Sequence, residues 1–82
     1  MTWLVVYDIE DDRVRTKVAD YCLDKGLERI QYSCFLGEMS RTLARELASK
    51  CKRKLGDKPG KIRLVPVCEK DLASQVRIEN VP

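Results

Sequence analysis

An apolar run over residues 2–8, Thr-Trp-Leu-Val-Val-Tyr-Asp, opens the chain and stops on a carboxylate. A run of this kind, without polar alternation, predicts a strand covered on both faces, and therefore a central one. Asp11 or Asp12 can then cap a helix in which Val14, Val18, Tyr21 and Cys22 share one face, with Arg13, Lys17, Asp20 and Asp24 opposite. Gly26 supplies a left-handed stop.

The period changes after Leu27. Ile30, Tyr32, Cys34 and Leu36 alternate with Arg29, Gln31 and Ser33, the spacing of a half-exposed strand or a bent strand pair, and Gly37 marks a bulge or the strand's end. Ser40 or Thr42 can cap a second helix, where Leu43, Leu47, Cys51 and Leu55 recur until Gly56 ends it. The turn-rich GDKPGK leads into KIRLVPV, residues 61–67, a fourth strand that Pro66 assigns to a sheet edge or a bulge, because proline has no amide proton to donate. Gln75–Glu79 predicts a last short strand. The order βαββαβ predicts an α+β, ferredoxin-like sandwich, one domain over residues 1–82 with an extra C-terminal strand.

An 82-residue chain buries only roughly 60% of the surface that its unfolded form exposes, so a partner that completes the core is expected. The longest apolar run is too short to cross a bilayer and the start does not read as a secretory leader, so the expectation is a cytoplasmic protein without a membrane partner. The four cysteines are widely spaced, and with no histidine to complete a zinc set they read as small hydrophobes in a reducing compartment. The same lack of histidine excludes Ser-His and Cys-His nucleophile pairs and H-E-x-x-H metal sites. Any chemistry here rests on carboxylates, basic groups, hydroxyls or thiols. Residues 1–40 carry a net charge of −3 and residues 41–82 a net +6, which points the second half toward an acidic partner such as nucleic acid.

Asp8 sits where a side chain can leave the core at the end of the first strand. Magnesium often takes only one or two carboxylates, so two copies of Asp8 meeting near a dimer axis would make a metal site; the plainer reading is a turn residue that, with Glu10, Asp11 and Asp12, favours the positive end of the helix. Arg15 either reaches a phosphate or lays its stem along the core edge. Phe35 reads as core packing. Lys50, Lys52, Arg53, Lys54, Lys58 and Lys61 either track a phosphate backbone, together with Arg13 and Lys17, or form a solvated face. The absence of an RNP1-like aromatic motif argues against a base-stacking sheet of this topology.

The block V-V-Y-D-I-x-D-D followed by R-x-K, and then G-L-x-R-I-Q-Y-S-x-F-x-G-E, resembles the CRISPR-associated Cas-two family over residues 1–67. That resemblance implies a ferredoxin-like homodimer in which Asp8 of each subunit holds Mg2+, with Mn2+ as a substitute, and in which Tyr7, Arg15, Arg29 and Phe35 belong to the active site. Lys17 stands where the family often has arginine, keeping the charge without the bidentate fork. The implied activity is metal-dependent endonucleolytic cleavage of single-stranded RNA or double-stranded DNA, in partnership with the Cas-one integrase during spacer acquisition. The other implied role is a non-catalytic dimer that bridges integrase subunits and holds duplex DNA. The segment Gln75–Glu79 would then add to the partner subunit's sheet.

Overall fold

Trp3, Val5, Tyr7 and Ile9 point to one side of β1 (Thr2–Ile9) and are buried, whereas Leu4, Val6 and Asp8 on the other side are half-buried or exposed in the computed structural model, which describes residues 1–81. The strand is central, as its apolar run predicts, but within one chain only one of its faces is covered. Its neighbours are β3 (Cys34–Glu38) and β4 (Gly60–Val67), and β2 (Glu28–Gln31) closes the far edge in the order β2-β3-β1-β4. All three pairings are antiparallel. With α1 (Asp12–Asp24) after β1 and α2 (Arg41–Leu55) after β3, this is the ferredoxin-like arrangement. Pro66 lies on the edge strand β4, where its missing amide costs no ladder bond on the open side.

Local chemistry sets the helix ends. Asp11 caps α1 by accepting from the Val14 amide at 2.9 Å, and Ser40 caps α2 by accepting from the Leu43 amide at 3.1 Å. Gly26 and Gly56 follow the two helices with φ of 79° and 58°, a region that residues with a Cβ adopt at a cost. Val14, Val18 and Cys22 of α1 and Ala44, Leu47 and Cys51 of α2 pack with Val5, Tyr7 and Phe35 in a single core under the sheet. Burial of each fully enclosed apolar side chain, such as Phe35, Leu47 or Val18, contributes roughly 1.5–3 kcal/mol.

Three expectations are corrected. Along the strand pair in residues 28–38, Phe35 is fully buried, while Ile30 and Tyr32, which the alternation put inside with Cys34, are exposed. A two-residue turn at Tyr32 and Ser33 and a bulge between Arg29 and Gln31 break the alternation, and a one-residue shift in a strand exchanges its faces. Residues 69–73, unassigned by periodicity, form α3 (Glu69–Ala73), capped by the Cys68 sulfur, and Gln75–Glu79 forms no strand of this chain's sheet. Its Val76 and Ile78 are almost wholly exposed, because a single chain offers this segment no ladder that would bury them. Cys22, Cys34 and Cys51 are buried as expected, but Cys68 is exposed. Among the described residues no helix is long and apolar enough to cross a membrane.

Candidate functional site at the end of the first strand

Side chains alternate across a strand, so the last turnings of β1 send Tyr7 toward the helices and Asp8 to the open face. Asp8 is exposed, and among the described residues no side chain hydrogen-bonds to its carboxylate or pairs with it within 4 Å. Directly across the β1–β4 ladder is Lys61, with Arg63 opposite Val6 one step further along the same face. Residues opposed in this way bring their Cβ atoms to about 4.5–5.5 Å, so one acid and two bases share this end of the sheet. Close approach of the strands is secured by Gly60, where a Cβ would lie 3.0 Å from the Asp8 carbonyl oxygen.

Tyr7 is buried and packs beside Phe35, with ring centroids 6.4 Å apart and planes at 20°. The guanidinium of Arg29 lies over the Phe35 ring at 5.0 Å. Burial pushes the Tyr7 phenol above its ordinary pKa, and the nearby Arg29 guanidinium opposes that push only in part. The Tyr7 hydroxyl has no hydrogen-bond partner of acceptable geometry among the described residues.

Arg15, on the first turn of α1, turns back toward the strand. Its Nη1 donates to the Ile9 carbonyl at 2.9 Å and weakly to that of Glu10, Nη2 pairs with Asp12, and its guanidinium carbon lies 5.8 Å from the Tyr32 ring centroid. The β2–β3 turn is tied to the same place, since the Tyr7 amide donates to the Ser33 carbonyl at 3.1 Å.

The sheet therefore divides the five residues. Tyr7, Phe35 and Arg29 form one cluster on the helix side, Arg15 braces the β1–α1 connection, and Asp8 stands on the open face. Among the described residues no group of three or more acidic, cysteine or histidine side chains is placed to hold a metal ion. Lys61 and Arg63 become neighbours of Asp8 through the ladder register, which no local spacing in the sequence encodes.

Other basic residues lie on the helices, away from Asp8. Arg13 and Lys17 are exposed on α1. Lys50 lies over the Tyr21 ring at 5.4 Å, and with Arg53 and Lys54 the two line a shallow groove between α1 and α2. Lys58 pairs with the capping Asp11 at 3.0 Å, so its charge is already engaged.

Comparison with known proteins places this geometry among relatives. The family model described as "CRISPR associated protein Cas2" matches residues 1–75. A protein of Desulforudis audaxviator named CRISPR-associated endoribonuclease Cas2 is 44% identical over 79 residues, which span 96% of this chain and 74% of that protein. A Thermoproteus tenax protein named CRISPR-associated endonuclease Cas1/endonuclease Cas2 fusion is 35% identical over 79 residues, covering 96% of this chain and 30% of the fusion. In fold, the crystal structure of Streptococcus pyogenes Cas2 superposes with a TM-score of 0.82 at 20% identity, covering 96% of this chain and all of that one.

Proposed function

The chain belongs to the CRISPR-associated Cas2 family, and from that membership we propose that it is a metal-dependent endonuclease that cuts phosphodiester bonds in single-stranded RNA or duplex DNA, working in the cytoplasm with the Cas1 integrase in spacer acquisition. The observation that carries the catalytic part is Asp8: a carboxylate on the central strand, without a side-chain partner among the described residues, beside two cations on an open sheet face.

A lone carboxylate is a sparse magnesium site and a second copy would supply another, so the reading includes a homodimer formed over the open face, with Asp8 of both subunits holding Mg2+ or Mn2+. When bound, the ion lowers the pKa of a water and neutralises charge on the phosphate. Lys61 and Arg63 orient the phosphate toward Asp8 by their positions on the ladder. Tyr7, Phe35 and Arg29 hold β1 and β3 in register from the helix side, and Arg15 fixes the backbone just beyond Asp8. In this reading these four residues position the site, and Asp8 alone touches the cation.

The test is cleavage of labelled single-stranded RNA and duplex DNA by wild type and Asp8→Asn, with magnesium, manganese or chelator. Cleavage that requires both metal and Asp8 supports the proposal. Activity that survives Asp8→Asn, or that is insensitive to chelator, overturns it.

The fusion of a Cas2 segment to a Cas1 segment in the Thermoproteus tenax protein favours a second reading, in which the dimer is a scaffold that bridges integrase subunits and holds DNA by its backbone. Under it, Asp8→Asn leaves duplex binding and integrase association unchanged, and wild type cuts nothing.

A further inference from the structure

The chain has five aromatic side chains. Trp3, Tyr7 and Phe35 are buried, and Tyr21 is half-buried under Lys50. Tyr32 differs from them all: it is 70% exposed, at the tip of the β2–β3 turn, and packs into none of the core.

Its backbone and one flank are nevertheless anchored. The turn is tied to β1 by the bond from the Tyr7 amide to the Ser33 carbonyl, one residue before Asp8. The guanidinium beside the ring belongs to Arg15, which is itself held by the Ile9 carbonyl and Asp12 and so cannot swing away without breaking both. One side of the ring is thus backed by a fixed cation while most of the residue faces solvent. Arg13 and Lys17, both exposed on the first turns of α1, are two further cations on the helix that follows β1, alongside the acids Glu10, Asp11 and Asp12. A solvent-facing aromatic ring flanked by an anchored guanidinium is what stacks an unpaired base.

We propose that Tyr32 is a stacking platform for one unpaired nucleobase, so that this end of the sheet selects single-stranded over duplex nucleic acid. The inference rests on the nucleic-acid reading above but not on Asp8, since stacking needs no metal and no cleavage. A duplex keeps its bases in the stack and presents no free π-face to the ring, which is the source of the selectivity.

Two measurements test it. The first compares affinities of wild type, Tyr32→Ala and Tyr32→Phe for a single-stranded oligonucleotide, the same length of abasic strand, and a duplex, in chelator so that nothing is cut. Loss of stacking lowers single-strand affinity by roughly tenfold or more in Tyr32→Ala. Tyr32→Phe keeps it, because the ring and not the hydroxyl is used, and duplex and abasic binding do not change. The second uses Tyr32→Trp, whose new indole is exposed whereas the natural Trp3 is buried. The base-containing strand quenches its fluorescence, and the abasic strand does not.

Equal single-strand affinity of wild type and Tyr32→Ala overturns the proposal, as does a loss that extends equally to duplex, which would make Tyr32 a support for Arg15. Wild type that binds no nucleic acid at low salt overturns the nucleic-acid reading itself, and the stacking proposal with it.

Discussion

Asp8 and Lys61 face each other across the antiparallel ladder of β1 and β4, which puts an acid and a base together on a sheet face that one chain leaves uncovered. Neither is buried, so neither is needed for the core. Asp8→Asn is therefore expected to melt at the wild-type temperature while losing metal-dependent cleavage. Thermal denaturation followed by circular dichroism checks the first point, and a large fall in melting temperature would show that the carboxylate holds the fold.

Lys61→Ala is expected to weaken nucleic-acid binding without regard to sequence and to reduce the slope of log K against log salt by about one, as the loss of a single phosphate contact does. A salt titration by fluorescence anisotropy measures this. An unchanged slope would place Lys61 outside the nucleic-acid interface.

The Tyr7 hydroxyl is buried without a partner among the described residues, whereas its ring packs against Phe35. An unpaired buried hydroxyl costs about 1–3 kcal/mol of desolvation, so Tyr7→Phe is expected to be as stable as wild type or more so. Phe35→Ala empties the centre of the core and is expected to cost about 3–5 kcal/mol, enough to unfold much of a small domain. Urea denaturation distinguishes the two outcomes. A destabilised Tyr7→Phe would mean that the hydroxyl has a bonded partner in solution.

Asp11 links the α1 cap to the loop before β4. The Val14 amide first, and then the Lys58 ammonium, hold its carboxyl below the usual carboxylate range. A group with a depressed folded-state pKa contributes stability that is present above its unfolded pKa and lost as the pH falls through the folded value. The unfolded carboxyl titrates near about 4, so wild type is expected to lose more of its melting temperature below about pH 4 than Asp11→Ala does. Glu38, also held low, chiefly by the N-terminal ammonium, is common to both proteins. Parallel curves would reject the linkage.

Burial pushes the Cys22 thiol up to about 12 and that of Cys51 up to about 11, and it raises Cys34 as well. A thiol reagent at neutral pH is expected to label Cys68 first and the other three only on unfolding, because the thiolate is the reactive form and only Cys68 is exposed. Mass spectrometry of partly labelled protein reads the order. Early labelling of Cys22 or Cys51 would contradict a packed interface between α1 and α2.

Much of this protein is legible in short-range pattern. The caps at Asp11 and Ser40, the stops at Gly26 and Gly56, the central apolar strand and the edge position marked by Pro66 all follow from the conformational and hydrogen-bonding limits of single residues and their near neighbours. Asp8, too, stands out as a carboxylate that ends an apolar run. Tertiary structure decided what depends on register and on distant chain. The bulge and turn near Gln31 sent Phe35 inward and left Tyr32 in solvent, against the alternation along the strand. The pairing of β1 with β4 set Lys61 opposite Asp8, although 53 positions separate them in the numbering. The pleat put Tyr7 and Asp8 on opposite faces of one sheet, so residues adjacent in the chain serve the core and the site separately. Local pattern encodes which element forms; which faces meet is settled only when strands choose partners, because a one-residue shift exchanges every inward side chain for an outward one.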